Sequence, residues 1–256
     1  MKRTWLHSLW LATLAFPSIA HADVTTPFTG VTLVDHGDRA LAIADLCAAG
    51  VSMRVTKYAE RQATPEQWAT KSTVNAAVAI NGDFFDFPGW TYVIGRAKGG
   101  GENWPAGDQN KENRSYWQFG STFMPDLIVP ASTAPNAAAS DILGGHNVII
   151  KDGKSLAPNF DGDAVILGTY RRTGVGLNAS RSKVYLFASN TALSGADEAA
   201  SMLAMAAEGG APDLDVATNE DGGGSSQMYV RGKGQIVDSG RQVNDHLGII
   251  ANGSGP

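Results

Sequence analysis

A single α+β domain, with a mixed, mainly antiparallel sheet core and a few packed helices, is the fold that the sequence predicts. Three observations support it. Apolar residues alternate at a two-residue period in several short runs, turn signals separate those runs, and only one long stretch carries a clear helical period. The 43% hydrophobic and 18% charged content marks a globular rather than a disordered chain.

The first residues point to export. Lys2 and Arg3 precede a mostly apolar run from Trp5 to Phe16, Pro17 breaks it, and Ala20-His21-Ala22 supplies the small-x-small pattern of a signal-peptidase site. Residues 1–22 therefore read as a signal peptide and 23–256 as the mature domain, periplasmic or secreted. The apolar run is short of the roughly 20 residues that cross a bilayer. No later stretch is long and apolar enough, so no membrane span is expected in the mature chain.

Val31 to Val34 and Val51 to Val55 alternate as half-buried strands. Thr64, Pro65 and Gln67 have the spacing of a capping box with proline at the first helical position, so a short helix is expected next. Ala76 to Ile80 (AAVAI) reads as a fully buried strand that delivers Asn81 to a loop. Lys98 to Arg114 lacks periodicity and is read as a long loop bordering a site. Pro130 to Ser140 is a second irregular connection. Asn147 to Ile150 leads into a tight turn at Asp152-Gly153, and Arg172 to Leu177 and Lys183 to Ala188 flank another turn. Ser194 caps the one clear helix, Asp197 and Glu198 suit its first turn, and Gly209-Gly210 end it. Ala199, Met202, Leu203 and Ala206 form its apolar stripe. Val216 to Thr218 then lead into a glycine cluster, and hairpin-like strands close the chain.

Composition limits the chemistry. A net charge of −5 offers no general attraction to nucleic acid, so a phosphate-bearing ligand requires a local cationic pocket. Cys47 is the sole cysteine, which excludes an internal disulfide; within the run LAIADLCAAG it reads as a small buried side chain. His146 and His246 read as structural or surface residues, since no H-E-x-x-H pattern exists.

Three stretches share one character, an apolar strand ending in polar side chains beside glycine: AINGDFFD (Ala79 to Asp86), YRRTGVGLN (Tyr170 to Asn178) and NEDGGGSSQM (Asn219 to Met228). In the last, Asp221 precedes Gly222, Gly223 and Gly224. Their N–H groups can form an anion-binding concavity, aided by the hydroxyls of Ser225 and Ser226. Arg171, Arg172 and Arg241 are the candidate cations, because the planar guanidinium grips phosphate at two points. On spacing alone the stretch is equally a flexible glycine turn with a solvated aspartate. Asp83 and Asp86 add carboxylates for acid and base work. Phe84 and Phe85 are either core or an apolar wall for a sugar ring.

In order and approximate spacing, five motifs resemble those of the phosphodiester glycosidase family, from about Ala76 to Ile250. NGDFF resembles its Asn-Gly-Gly-Phe-Phe. GGHNVIIKDGK, from Gly144, resembles a Gly-Gly hairpin ending Asp-Gly-Lys, and RTGVGLN resembles Arg-Thr-Ala-(apolar)-Gly. NEDGGGSSQM resembles Asn-Leu-Asp-Gly-Gly-Gly-Ser-Ser-Thr-Met, the most specific of the set. GRQVNDHLGI is a looser match to Glu-Arg-Pro-Val-x-Asn-x-Leu. The chain departs from the pattern at Asp83, where the family has glycine, at Glu220, where it has an apolar residue, and at Gly240 and Gln242.

The resemblance implies hydrolysis of a sugar 1-phosphodiester, such as an N-acetylglucosamine 1-phosphodiester, to free sugar and a phosphomonoester. A mechanism consistent with that reaction has Asp221 as base or nucleophile, Asp83, where the family has glycine, as second carboxylate, and Arg172 and Arg241 neutralising the departing phosphate. Asn81, Ser225, Ser226, Asn244 and the glycines 222 to 224 would bind or orient the substrate. The partner implied is a glycosyl-phosphate in an envelope or extracellular polymer. No organic cofactor is expected. Two alternatives stay open: a phosphodiesterase that cuts P–O with calcium or magnesium held by Asp221, Asp83 and Glu220, and a non-catalytic carbohydrate- or phosphate-binding protein.

Overall fold

The computed structural model describes residues 22–129, 133–160, 164–253 and 255. The signal-peptide expectation therefore lies outside the described residues, Ala22 apart. The largest sheet has eight strands, in the order Asp23–Phe28, Val31–Asp35, Arg39–Asp45, Lys183–Ser189, Thr173–Asn178, Leu214–Asn219, Val148–Lys151 and Lys154–Ser155. One five-stranded sheet runs Gly234–Val237, Met228–Val230, Val78–Asn81, His246–Ile250 and Ser52–Val55. Another runs Glu102–Asn103, Lys98–Gly99, Asp141–Gly144, Tyr116–Phe119 and Asp126–Ile128. All these neighbours pair antiparallel.

Period-two alternation sorts the large sheet's side chains onto two cores. Ala40, Ala42 and Ala44, with Val184, Leu186 and Ala188, meet Val55, Val78, Ile80, Trp117 and Leu143 of the smaller sheets. The intervening Leu41, Ile43, Tyr185 and Phe187 face the helix Gly195–Glu208. That helix is capped by Ser194, whose hydroxyl accepts the Asp197 N–H. Its buried face includes Glu198, Met202 and Met205, so Met205 lies deeper than the expected Leu203, which is only partly buried. On the same buried face, Glu198 lies 3.8 Å from Arg172.

The short helix Pro65–Ala69 has its capping box: Thr64 Oγ1 accepts the Gln67 N–H, and Gln67 Oε1 accepts the Thr64 N–H. It lays Trp68 against Ala79 and Tyr229, with His246 stacked on the indole at 5.1 Å. His246 also meets the Thr56 hydroxyl and the Ala63 carbonyl, and burial pushes it down to about 3, so it is a neutral structural residue.

Two expectations are corrected. Cys47 is exposed, not buried. The strand stops at Asp45, whose carboxylate accepts the Cys47 N–H at 2.9 Å, and the resulting turn tips the thiol outward. The segment Lys98 to Arg114 is not structureless. Gly100 and Gly101, both at positive φ (52° and 84°), turn Lys98–Gly99 back onto Glu102–Asn103 as a hairpin. Among the described residues, no helix is long and apolar enough to cross a membrane.

Candidate active site

The polar strand ends meet at fully buried Asn81. Its Nδ2 donates to the Asp221 carbonyl at 2.7 Å, while its Oδ1 accepts from the Thr173 hydroxyl at 2.9 Å and the Gln227 N–H at 3.0 Å. The Asp221 N–H donates to the Gly82 carbonyl, the Gly82 N–H to the Asp245 carbonyl, and the Glu220 N–H to the Thr173 carbonyl. The three stretches therefore form one polar seam between sheets. Asn81 fixes main chain on both sides of the triglycine.

The glycines answer to their neighbours. A Cβ on Gly222 would come within 2.7 Å of the Arg171 carbonyl, and Gly223 sits at a φ of 61°. A side chain at Gly224 would collide with the Arg241 guanidinium, which lies against this backbone. Arg241 Nη1 reaches Ser225 Oγ at a long 3.4 Å, and the Ser225 hydroxyl bonds the Asp221 carboxylate. Gln227 Nε2 ties the Ser225 and Arg241 carbonyls together. Ser226 is buried, and its hydroxyl has no partner among the described residues. Asp221 and Ser225 thus share one loop, and Arg241 reaches it from the connection between Gly234–Val237 and His246–Ile250.

Asp221 is partly exposed, whereas Asp83, Glu220 and Asp245 are buried behind it. Asp83 occupies a cradle between Gly95 and Gly144, where either glycine's Cβ would strike its carboxylate. It accepts the N–H groups of Phe84 and Gly95. Burial pushes Asp83 up to about 7, against the Gly95 N–H and the charge of Arg114. Asp221 is likewise pushed up to about 7: burial dominates, the Ser225 hydroxyl opposes it, and the charges of Asp83 and Arg241 act in opposite senses. Glu220 Oε1 accepts from the Thr218 hydroxyl and the Trp117 indole, but its Oε2 has no partner among the described residues. Neither carboxyl oxygen of Asp245 has one. Burial first, then neighbouring charges, hold both groups well above the ordinary range. Four acids so close titrate as a set, and protons stay among them at neutral pH.

Asp245 is the member that sequence reasoning missed. Asn244 was the expected contact, but its Nδ2 donates to the Tyr92 carbonyl at 3.1 Å and so supports a neighbouring loop. The available signal was the register of the closing motif, in which Asp245 falls on the family's asparagine.

Arg172 also departs from its expected place. It is 1% exposed, and its guanidinium donates to the carbonyls of Leu193, Val165, Ile166 and Gly168 and to Asn219 Oδ1. These contacts occupy its donors, so it presents no open fork to a phosphate. It acts instead on the main chain leading to Asp221, through Asn219. The remaining cation, Arg171, donates to the Asp238 carbonyl.

Phe84 and Phe85 point to different surroundings. Phe84 lies 4.6 Å from His146, beside a cleft of about 340 Å³ lined by Arg114, His146, Asn147 and Phe160, among others. Phe85 stacks on Trp90 at 5.1 Å. Among the described residues, no three His, Cys, Asp or Glu side chains are arranged to hold a metal ion.

The model of the family described as phosphodiester glycosidase matches residues 74–250, more than half of the chain. The fold is similar to the zebrafish N-acetylglucosamine-1-phosphodiester alpha-N-acetylglucosaminidase catalytic domain auto-inhibited by pro-peptide, with a TM-score of 0.61 at 14% identity. That match covers 94% of this chain and 87% of the zebrafish one. A hypothetical protein from Synechocystis matches with a TM-score of 0.57 at 13% identity, over 90% of this chain and 61% of its own. No curated protein sequence matches. Likeness at such identities speaks for the fold, and the family model speaks for membership. With the family model matched over residues 74–250, the chain belongs to the phosphodiester glycosidase family.

Proposed function

We propose that the chain is an exported hydrolase that cleaves a sugar 1-phosphodiester of the N-acetylglucosamine type, releasing free sugar and a phosphomonoester. The observation that carries this reading is the loop pairing: Asp221 is partly exposed and poised near neutrality, beside Ser225 and under the charge of Arg241. Ionised Asp221 either takes a proton from an attacking water or itself attacks the anomeric carbon. The C1–O bond breaks, and its electron pair stays on the phosphate oxygen. Arg241 neutralises that charge, a well-placed donor contributing about 2–4 kcal/mol, whereas the Gly223 N–H is already held by the Arg171 carbonyl. Asp83, with its raised pKa of about 7, is the second carboxyl that holds or returns a proton. Placement outside the cytoplasm rests on the Lys2 to Ala22 pattern.

Hydrolysis of N-acetylglucosamine 1-phosphodiesters in oxygen-18 water tests the reading. Label is expected in the sugar, and Asp221→Asn is expected to lower kcat by roughly 10³-fold without lowering the melting temperature. Label in the phosphate would establish P–O cleavage instead. Tight binding without turnover would make the chain a binding protein, and a fully active Asn variant would remove Asp221 from the chemistry.

A further inference from the structure

Asp83 and Asp245 are buried carboxyl groups with opposite hydrogen-bond surroundings. Asp83 is 1% exposed and accepts the N–H groups of Phe84 and Gly95. Asp245 is 0% exposed, and neither of its carboxyl oxygens has a donor among the described residues. A carboxylate desolvated in this way is costly, and a proton on it removes most of that cost. The backbone brings the two groups together. His246 pairs with Asn81 across antiparallel strands, and continuing that register sets Asp245 opposite Gly82, whose N–H donates to the Asp245 carbonyl. Gly82 leaves the space that the Asp245 carboxyl fills, since a Cβ there would come within 2.8 Å of Oδ1. Asp83 is the next residue, and its charge acts on Asp245 more strongly than those of Glu220 and Asp221.

Among the described residues, no cation is dedicated to this pair. Arg114 acts on Asp83, but Glu112 holds its guanidinium at 2.6 Å and opposes it. Arg241 acts on Asp221 instead. Glu220 adds a further buried carboxyl, itself under the charge of Glu198, the partner of Arg172. His246, on the opposite face of its strand from Asp245, stacks on Trp68. Both acids also depart from the motif pattern given above, Asp83 falling on a glycine and Asp245 on an asparagine.

We propose that Asp83 and Asp245 share one proton, which makes Asp245 the positioning residue that keeps a proton available at Asp83 above neutrality. The inference rests on the glycosidase reading, in which Asp83 holds or returns a proton, and adds the group that retains it. In acid both carboxyls are neutral. One proton leaves the pair as pH rises, in line with the value of about 7 for Asp83. The second stays, because its loss would set two carboxylates against each other in a desolvated pocket. With asparagine at position 245 that repulsion is gone, and Asp83 gives up its only proton in the first step.

Carboxyl carbon-13 shifts and kcat/KM, each followed against pH in wild type and in Asp245→Asn, test this. In wild type the Asp83 and Asp245 resonances should each move in two steps, one near pH 7 and one at least about two higher. In Asp245→Asn the Asp83 resonance should move once. The alkaline fall of kcat/KM on an N-acetylglucosamine 1-phosphodiester should shift with it, leaving the variant about tenfold below wild type at about pH 8.5 and closer to it at about pH 6.5. Asp83→Asn is the reciprocal check, because Asp245 must then titrate once. A single step for Asp83 in wild type, or the same two steps in Asp245→Asn, overturns the sharing. A kcat/KM lowered equally at every pH overturns the catalytic part, since Asp245 would then only support the fold. Two carboxyl steps that merge on adding calcium reassign the pair to a cation and overturn the proposal. Failure of the glycosidase reading looks different: no diester is cleaved at any pH, whatever the carboxyl resonances do.

Discussion

Two arginines serve the same loop and differ in almost every physical respect. Arg172 is buried, with its guanidinium donating to main-chain carbonyls and to Asn219, and with Glu198 at 3.8 Å. Arg241 is partly exposed, rests on Gly224, and reaches Ser225 only at 3.4 Å. Both are near Asp221 in sequence motif or in space. The difference teaches that donor availability, rather than motif membership, separates a phosphate ligand from a strut. A guanidinium already matched to carbonyls gains little from a phosphate and would lose those bonds to reach one.

The comparison can be broken most forcefully at Arg172. Arg172→Met removes the bonds to a set of buried carbonyls and the partner of Glu198, and should destabilise by about 3–5 kcal/mol. Chemical denaturation measures this. A stable, inactive Arg172→Met chain would return Arg172 to the substrate and undo the contrast.

Arg241→Ala is expected to do the reverse. Activity on a sugar 1-phosphodiester should fall roughly 10²-fold, as for loss of one donor to a developing anion, while the unfolding midpoint changes little. Steady-state kinetics beside a melting curve would show both, and a large stability loss with intact turnover would exchange the two arginines' roles.

A smaller effect sharpens the view of the acids between them. Asp83 is pushed by burial from 3.8 to about 7, so the folded chain holds a proton that the unfolded chain releases over this range. Its contribution to stability is present at low pH and is lost as pH rises through about 7. Asp83→Asn should flatten that decline and make the chain about 1–3 kcal/mol more stable than wild type at pH 8. Melting curves across pH with an unchanged slope in the variant would locate the proton on Glu220 or Asp245 instead.

Much of this was legible in the residues. The Thr64 capping box, the Ser194 cap and the Asp152-Gly153 turn depend on neighbours within a few positions, and each formed as read. The alternation in Val31 to Val34 and Lys183 to Ala188 sorts side chains by period alone, before any partner strand is known. The motif order likewise brought Asn81, Asp83, Asp221 and Arg241 to notice together. Cys47 shows the limit of local apolarity: the run around it looks buried, yet the Asp45 turn ends the strand first.

Local periodicity and short-range hydrogen bonds thus determined the strands, the caps and the candidate residues from the sequence by itself. Only the tertiary structure decided which arginine keeps free donors and that Asp245 rather than Asn244 joins the acids. The physical reason is range. Desolvation and donor competition are set by atoms from segments more than a hundred residues apart, as when Asn81 grips Asp221, and no window along the chain contains both.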